Sequence, residues 1–225
     1  MVEENIRRVK ERISFISSRL GKDPAAVTVV AVSKGRTVSQ IKEVVACGIG
    51  DIGENRVQEA TLKVPSVPSA KWHMVGHLQT NKAKEAVRLF DLIHSVDSLR
   101  LAQELDAQAG SIGKVQDILI QVNASGEASK FGLKPQDAAG VIRQAAVLKS
   151  VRIRGLMTIA PIADNPEAIR PCFRLLRQLR EEIGSSGITA EGVPILSMGM
   201  SDDFEIAIEE GATMLRLGRA IFEDR

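Results

Sequence analysis

Val27-Thr-Val-Val-Ala-Val-Ser-Lys34 is the stretch that decides the fold. Val27 to Val32 form one continuous, β-branched run that stops at Ser33 and Lys34. A strand with no polar face is buried on both sides, as in a parallel sheet covered by helices. Helical sequence follows at once: over residues 39–46, Ile41, Val44 and Val45 share one side.

The same alternation spreads in both directions. An amphipathic helix over residues 3–20 precedes the run. After it, strand-like segments fall at Ile49-Gly-Asp-Ile52, Trp72-His-Met-Val75, Leu92-Ile-His-Ser-Val96 and Asp117-Ile-Leu-Ile-Gln-Val122. The second half adds 153–159, Ile195-Leu-Ser-Met198 and Met214-Leu-Arg-Leu217, with helical sequence between them. Strand starts in the first half recur roughly 22 residues apart, the compact end of a βαβ period. Eight such units predict an α/β fold of one closed (β/α)8 barrel, with an open doubly wound sheet as the alternative. Pro65-Ser-Val-Pro68 reads as a loop into the third strand, and no linker divides the chain. Residues 1–225 are expected to form a single domain with an extra N-terminal helix.

Composition narrows the function. Aromatic residues make up 3% of the 225 residues: one tryptophan, six phenylalanines and no tyrosine. A mechanism with a tyrosine as acid, base or nucleophile is therefore excluded. The net charge of +2 is spread in both signs, without the clustered basic face of a nucleic-acid reader. Cys47 and Cys172 lie far apart with no CxxC, which argues against a disulfide framework and for a reducing, cytoplasmic setting. The start lacks the apolar core of a signal peptide, and no apolar run is long enough to cross a bilayer.

On a (β/α)8 barrel the active site lies at the C-terminal ends of the strands. Lys34 ends the first strand there; it is either a solvated loop lysine or an amine aimed over the barrel mouth. Held over the mouth, it sheds water and offers the neutral amine that a Schiff base needs. Loops after the seventh and eighth strands form the recurrent phosphate site of these barrels. Here they read Ser197-Met-Gly-Met-Ser-Asp-Asp203 and Leu215-Arg-Leu-Gly-Arg219. Gly218 admits backbone N–H groups and Ser201 adds a hydroxyl, although Ser201 and Asp202 also suit a helix cap over 204–210. Arg216 lies inside the eighth strand, where an arginine is costly unless bonded, and alternation puts it on the face of Gly218. Asn55 stands at the mouth of the second strand, His73 and His77 around the third, and Lys130 in a polar loop over residues 123–132.

Two motifs are set aside. Gly48-Ile-Gly-Asp-Ile-Gly53 matches G-x-G-x-x-G but follows a helix and contains a strand, and no acidic residue stands about twenty positions on. His73 and His77 lack a third ligand and span a strand-to-loop change, so no metal site is expected.

Read in order, these segments resemble the pyridoxal phosphate homeostasis proteins, also called the YggS or proline-synthase-co-transcribed group. The likeness runs through Ala31-Val-Ser-Lys34, Gly53-Glu-Asn-Arg-Val-Gln-Glu59, Trp72-His-Met-Val-Gly76 and His94-Ser-Val-Asp-Ser98. It continues through Gly155-Leu-Met-Thr-Ile159, Leu196-Ser-Met-Gly-Met-Ser201 and Leu215-Arg-Leu-Gly218. The resemblance implies a barrel like the N-terminal domain of alanine racemase, of the fold type III pyridoxal phosphate proteins, with pyridoxal 5′-phosphate at its mouth. It implies Lys34 as the aldimine lysine, Ser201, Gly218 and Arg219 as phosphate contacts, and Arg216 as partner of the pyridine nitrogen. Asn55 and His73 are implied as pocket-lining residues. The chain departs from the pattern at Glu223, where a glycine is common, a change expected to disturb the last helix without abolishing cofactor binding.

Arginine only donates hydrogen bonds, so beside a pyridine nitrogen it disfavours ring protonation and weakens the ring as an electron sink. Racemisation also needs a second base, which in alanine racemases is a tyrosine from a separate domain. The expected function is therefore storage, buffering or delivery of the cofactor, by a monomer that serves pyridoxal phosphate-requiring apoenzymes and affects amino-acid and keto-acid pools indirectly. No robust catalysis, nucleic acid or membrane is expected. The alternatives are a low-activity racemase using His73 or Lys130, and a Schiff-base aldolase acting on a sugar phosphate.

Overall fold

The computed structural model describes residues 1–127, 130–161, 163, 165–188 and 192–223. Parts of the polar 123–132 loop and of the C-terminal tail on which the sequence reading rests, residues 128–129 and 224–225, lie outside this set.

Eight parallel strands close into a barrel in sequence order. They are β1 (Thr28–Val32), β2 (Asp51–Glu54), β3 (Lys71–Met74), β4 (Leu92–Val96), β5 (Gln116–Gln121), β6 (Val151–Met157), β7 (Ile195–Ser197) and β8 (Met214–Leu217). Closure is made by β1 and β8, with Val30 opposite Arg216 and Ala31 opposite Leu217. That pairing excludes an open sheet. Inside the barrel, Val30, Val75, Leu92, Leu119, Met157 and Met214 form their own apolar cluster. The larger core lies between the barrel and its helices.

The helices are α1 (Val2–Arg19), α2 (Val38–Ala46), α3 (Val57–Lys63), α4 (Ala83–Leu89), α5 (Leu99–Gly110), α6 (Pro135–Ala145), α7 (Arg170–Ser185), α8 (Phe204–Glu209) and α9 (Arg219–Phe222). The extra helix, α1, buries Val2, Ile6, Val9, Ile13 and Ile16, a helical stripe, against α2, α8 and α9. Its buried Asn5 donates to the carbonyls of Ile221 (3.1 Å) and Glu223 (2.9 Å), tying the chain's start to its last helix. Glu223 sits at the C-cap of α9 and its N–H donates to the Arg219 carbonyl, so the helix expected to be disturbed there is formed. Among the described residues no helix is long and apolar enough to cross a membrane.

Strand β2 begins two residues later than its apolar signal. Gly48 turns the chain, and the strand runs on through Gly53 and a wholly buried Glu54. A carboxylate is a poor strand signal, and only the folded chain shows that Lys63 neutralises it at 2.5 Å.

Candidate functional site

The C-terminal mouth of the barrel holds a cleft of about 400 Å³, a size suited to a small organic ligand. Lys34, Asn55, Ser201, Arg216, Gly218 and Arg219 line it, with apolar walls from Val32, Val75, Ile159 and Met200. Arg36 and Glu223 complete the rim.

Lys34 stands on a turn closed by Arg36 N–H on the Ser33 carbonyl (2.9 Å). Beneath it, the Ser33 hydroxyl donates to Glu54 Oε1 (2.7 Å), while Lys63 Nζ donates to Glu54 Oε1 (2.5 Å), the Ser33 carbonyl (2.9 Å) and Glu59 Oε2 (3.1 Å). Glu59 accepts the N–H of Gly35 (3.2 Å), and that bond, followed by Lys63, lowers its carboxyl below the ordinary value. One buried network thus grips both sides of Lys34. The side chain itself is exposed, contrary to the expectation that the barrel mouth strips it of water. Lys34 lines the cleft, while the polar anchors of its turn lie on Glu54, Glu59 and Lys63.

Asn55 is held by its backbone. Its N–H donates to Glu54 Oε2 (3.0 Å), and Gly76 packs so closely that a Cβ there would come within 2.3 Å of the Asn55 carbonyl. Gly199 does similar work after β7: at φ +95°, with Ala207 and Leu215 against it, it turns the chain toward Ser201.

Arg216 is 5% exposed. Its Nη1 donates to Ser197 Oγ (2.7 Å) and its Nη2 to the Thr158 carbonyl (2.8 Å). Burial pulls its pKa down to about 10, opposed by the nearby Asp203, so it is cationic at neutral pH. Burial in turn pushes the Asp203 carboxyl up, although the Met200 N–H hydrogen-bonds to it.

In the corner between β7 and β8, Ser201 Oγ accepts the N–H of Ala220 (3.1 Å). It therefore bridges to α9 rather than capping α8, and Asp202 pairs with Arg219 across the rim. The N-cap of α8 is Asp203, without a side-chain capping bond. Glu223 pairs with Arg36 (2.5 Å), whose guanidinium also lies over the Phe222 ring.

His73 is the expected site residue that the structure leaves out of the cleft wall. It points into the barrel below Val75, with Nε2 3.0 Å from Asp51 Oδ1 and Nδ1 3.0 Å from His94 Nε2. Strand alternation puts it on the inward face two residues short of the mouth. Lys130 also lies off the wall, donating to the Ala160 carbonyl (3.0 Å) and pairing with Glu127 (3.1 Å). His77 stacks on Phe131 and pairs with Asp97 (3.3 Å). Among the described residues no group of three potential ligands is placed to hold a metal ion.

Sequence reading missed the Glu54–Lys63–Glu59 anchor, Arg36, and the Ser197 and Thr158 seats of Arg216. An acidic residue closing an apolar strand, nine positions before a lysine, was the available signal for the first. The Thr158 seat had none, because a carbonyl acceptor leaves no mark on residue type, and a lone serine in an apolar strand does not name its partner.

The family model described as "Alanine racemase, N-terminal domain" matches residues 4–225. The pyridoxal phosphate homeostasis protein of Aquifex aeolicus is 42% identical over 224 residues, covering 99% of this chain and 97% of the relative. PipY of Synechococcus elongatus PCC7942, solved with PLP bound, is 35% identical with a TM-score of 0.83, covering 99% of this chain and all (100%) of PipY. An unknown protein from Bifidobacterium adolescentis superposes with a TM-score of 0.93 at 33% identity, over 98% of this chain and 94% of that one. The fold and the cleft define an alanine-racemase-type barrel. Within that class, this chain belongs to the family of pyridoxal phosphate homeostasis proteins.

Proposed function

We propose that the chain binds pyridoxal 5′-phosphate in this cleft, covalently through Lys34, and stores, buffers or delivers it. The observation that carries the reading is the meeting of three chemistries in one cavity. These are the primary amine of Lys34, the buried guanidinium of Arg216, and the donor corner of Ser201, Gly218 and Arg219. Bound there, the cofactor supplies an aldehyde for an amine and a ring that stabilises negative charge. The residues supply the complement. Ser201 and Arg219 hold the phosphate, with the Asp202 pairing of Arg219 giving way to it. Val32, Val75, Ile159 and Met200 would offer the ring apolar contact, and Asn55 a polar one. Arg216, which can only donate, would disfavour protonation of a ring nitrogen held beside it.

A binder is favoured over a catalyst. Among the described lining residues the one carboxylate besides the cation donors is Glu223, and it is engaged by Arg36. His73 and Lys130, the bases considered for racemisation, are both committed elsewhere. The chain is proposed to act as one cytoplasmic, monomeric unit over residues 1–225, handing cofactor to apoenzymes that require it. Purified protein should be yellow, with a visible band removed by borohydride and absent in Lys34→Ala. Protein that is colourless and takes up no added pyridoxal phosphate would overturn the reading, and rapid interconversion of D- and L-amino acids would overturn the preference for a binder.

A further inference from the structure

The barrel interior carries a line of polar groups running from the N-terminal end of β2 to the cleft, and its hydrogen-bond direction can be deduced. Asp51 Oδ1 lies 3.0 Å from His73 Nε2; His73 Nδ1 lies 3.0 Å from His94 Nε2; His94 Nδ1 lies 3.0 Å from Ser197 Oγ; and Arg216 Nη1 lies 2.7 Å from the same hydroxyl. His73, His94 and Ser197 are buried, so water does not substitute for these partners. Arginine can only donate, so Ser197 Oγ accepts from it. The serine proton then has one acceptor among the described residues, His94 Nδ1. That leaves His94 neutral with its proton on Nε2, donating to His73 Nδ1. His73 in turn carries its proton on Nε2 and donates to Asp51, a carboxylate that can only accept when ionised. The reverse direction fails at the serine, whose O–H would have nowhere to go in a buried site.

We propose that Asp51, His73, His94 and Ser197 form a one-way hydrogen-bond chain, both imidazoles neutral and protonated on Nε2, and that they are positioning residues for Arg216. The Thr158 carbonyl and the Ser197 hydroxyl occupy one N–H on each terminal nitrogen of the guanidinium. The chain fixes the serine rotor so that its lone pairs, not its proton, face Arg216. The guanidinium is thereby seated in one orientation beside the cleft. This gives a role to two histidines buried beside the barrel's apolar cluster of Val, Leu and Met. Burial, with His73 and Arg216 nearby, holds the His94 imidazole well below its ordinary value, in keeping with a neutral ring.

The assignment of protons rests on geometry alone; its consequence for ligand binding rests on the function proposed above. The first test therefore uses the ligand-free protein. Long-range ¹H–¹⁵N correlation of the histidine rings at neutral pH should show His73 and His94 both in the Nε2–H form. An Nδ1–H or doubly protonated ring at either position overturns the chain. The second test is Ser197→Ala, with folding checked by thermal melting. Losing a hydrogen bond to a charged group should weaken pyridoxal phosphate binding roughly tenfold or more and shift the absorption maximum of the bound cofactor. A folded Ser197→Ala protein with unchanged affinity and spectrum overturns the positioning role. Should that variant not fold, His94→Gln gives the same reading from the next link. If the unaltered protein binds no cofactor, the function fails while the ring assignment still stands or falls on the first test.

Discussion

Lys34 owes its position to groups that never reach the cleft. The Glu54 carboxylate is wholly buried, and it is bonded by Lys63 Nζ, the Ser33 hydroxyl and the Asn55 N–H. Removing one partner of such a pair leaves the other charge unmatched in a low-dielectric site, at a cost of about 3–5 kcal/mol. Lys63→Met should therefore lower the urea midpoint strongly and loosen the Ser33–Gly35 turn. Denaturation curves would check the first effect and pyridoxal phosphate titration the second. A variant as stable as the parent would contradict the role given to this pair. Glu223 offers a milder case on the rim. It competes with any anion for Arg36, so Glu223→Gln should tighten phosphate-bearing ligands modestly and leave stability within about 0.5 kcal/mol. Titration with pyridoxal phosphate at low salt checks it.

At the scale of elements, strand ends and close approaches set the site. β2 reaches the mouth through Gly53 and Glu54, and the chain after β3 crosses it at Gly76, where Asn55 leaves no room for a side chain. Gly76→Ala should push the Asn55 segment away, costing about 1–3 kcal/mol as overpacking does and weakening cofactor binding in the same variant. Equal stability and affinity would show that the contact yields. The elements also mark how far sequence reading carries. All eight strands were legible from short apolar runs, β2 and β6 each with a two-residue slip, and their alternation with helices favoured a closed barrel over an open sheet. Six of the seven expected site residues converge on one cleft because they stand at strand ends, where architecture dictates placement. His73 does not, since only the pleat decides whether a strand residue reaches the mouth or the interior beneath it. The two-residue slip of β2 and the bridging role of Ser201 have the same origin: partners distant in sequence decided them.

For the whole molecule, the barrel interior imposes a pH dependence. His94 is neutral when folded, its value held well below 6.5 first by burial and then by His73 and Arg216. Unfolded, it takes up a proton below about pH 6.5, so the unfolded state binds more protons there. Stability should be level above that pH and fall as pH drops below it, by up to about 1.4 kcal/mol per pH unit from this group. Glu59 adds a second loss below about pH 4.5, because its folded carboxyl is lowered by Gly35 and Lys63. Urea midpoints at about pH 7 and about pH 5.5 decide the matter, and identical values would contradict a buried neutral His94. Composition acts at this scale too. With no tyrosine in 225 residues, a tyrosine cannot serve as acid or base in this barrel. An Arg216 that is cationic at neutral pH supports the binder reading proposed above.

The central claim is a covalent site at Lys34, and peptide mass mapping tests it most directly. Protein saturated with pyridoxal phosphate would be reduced with borohydride, digested and searched for the stable adduct on every lysine. The account predicts stoichiometric adduct on Lys34, with Lys63 and Lys130 essentially unlabelled. Full reduction with no adduct on Lys34, or labelling concentrated on another lysine, would contradict it.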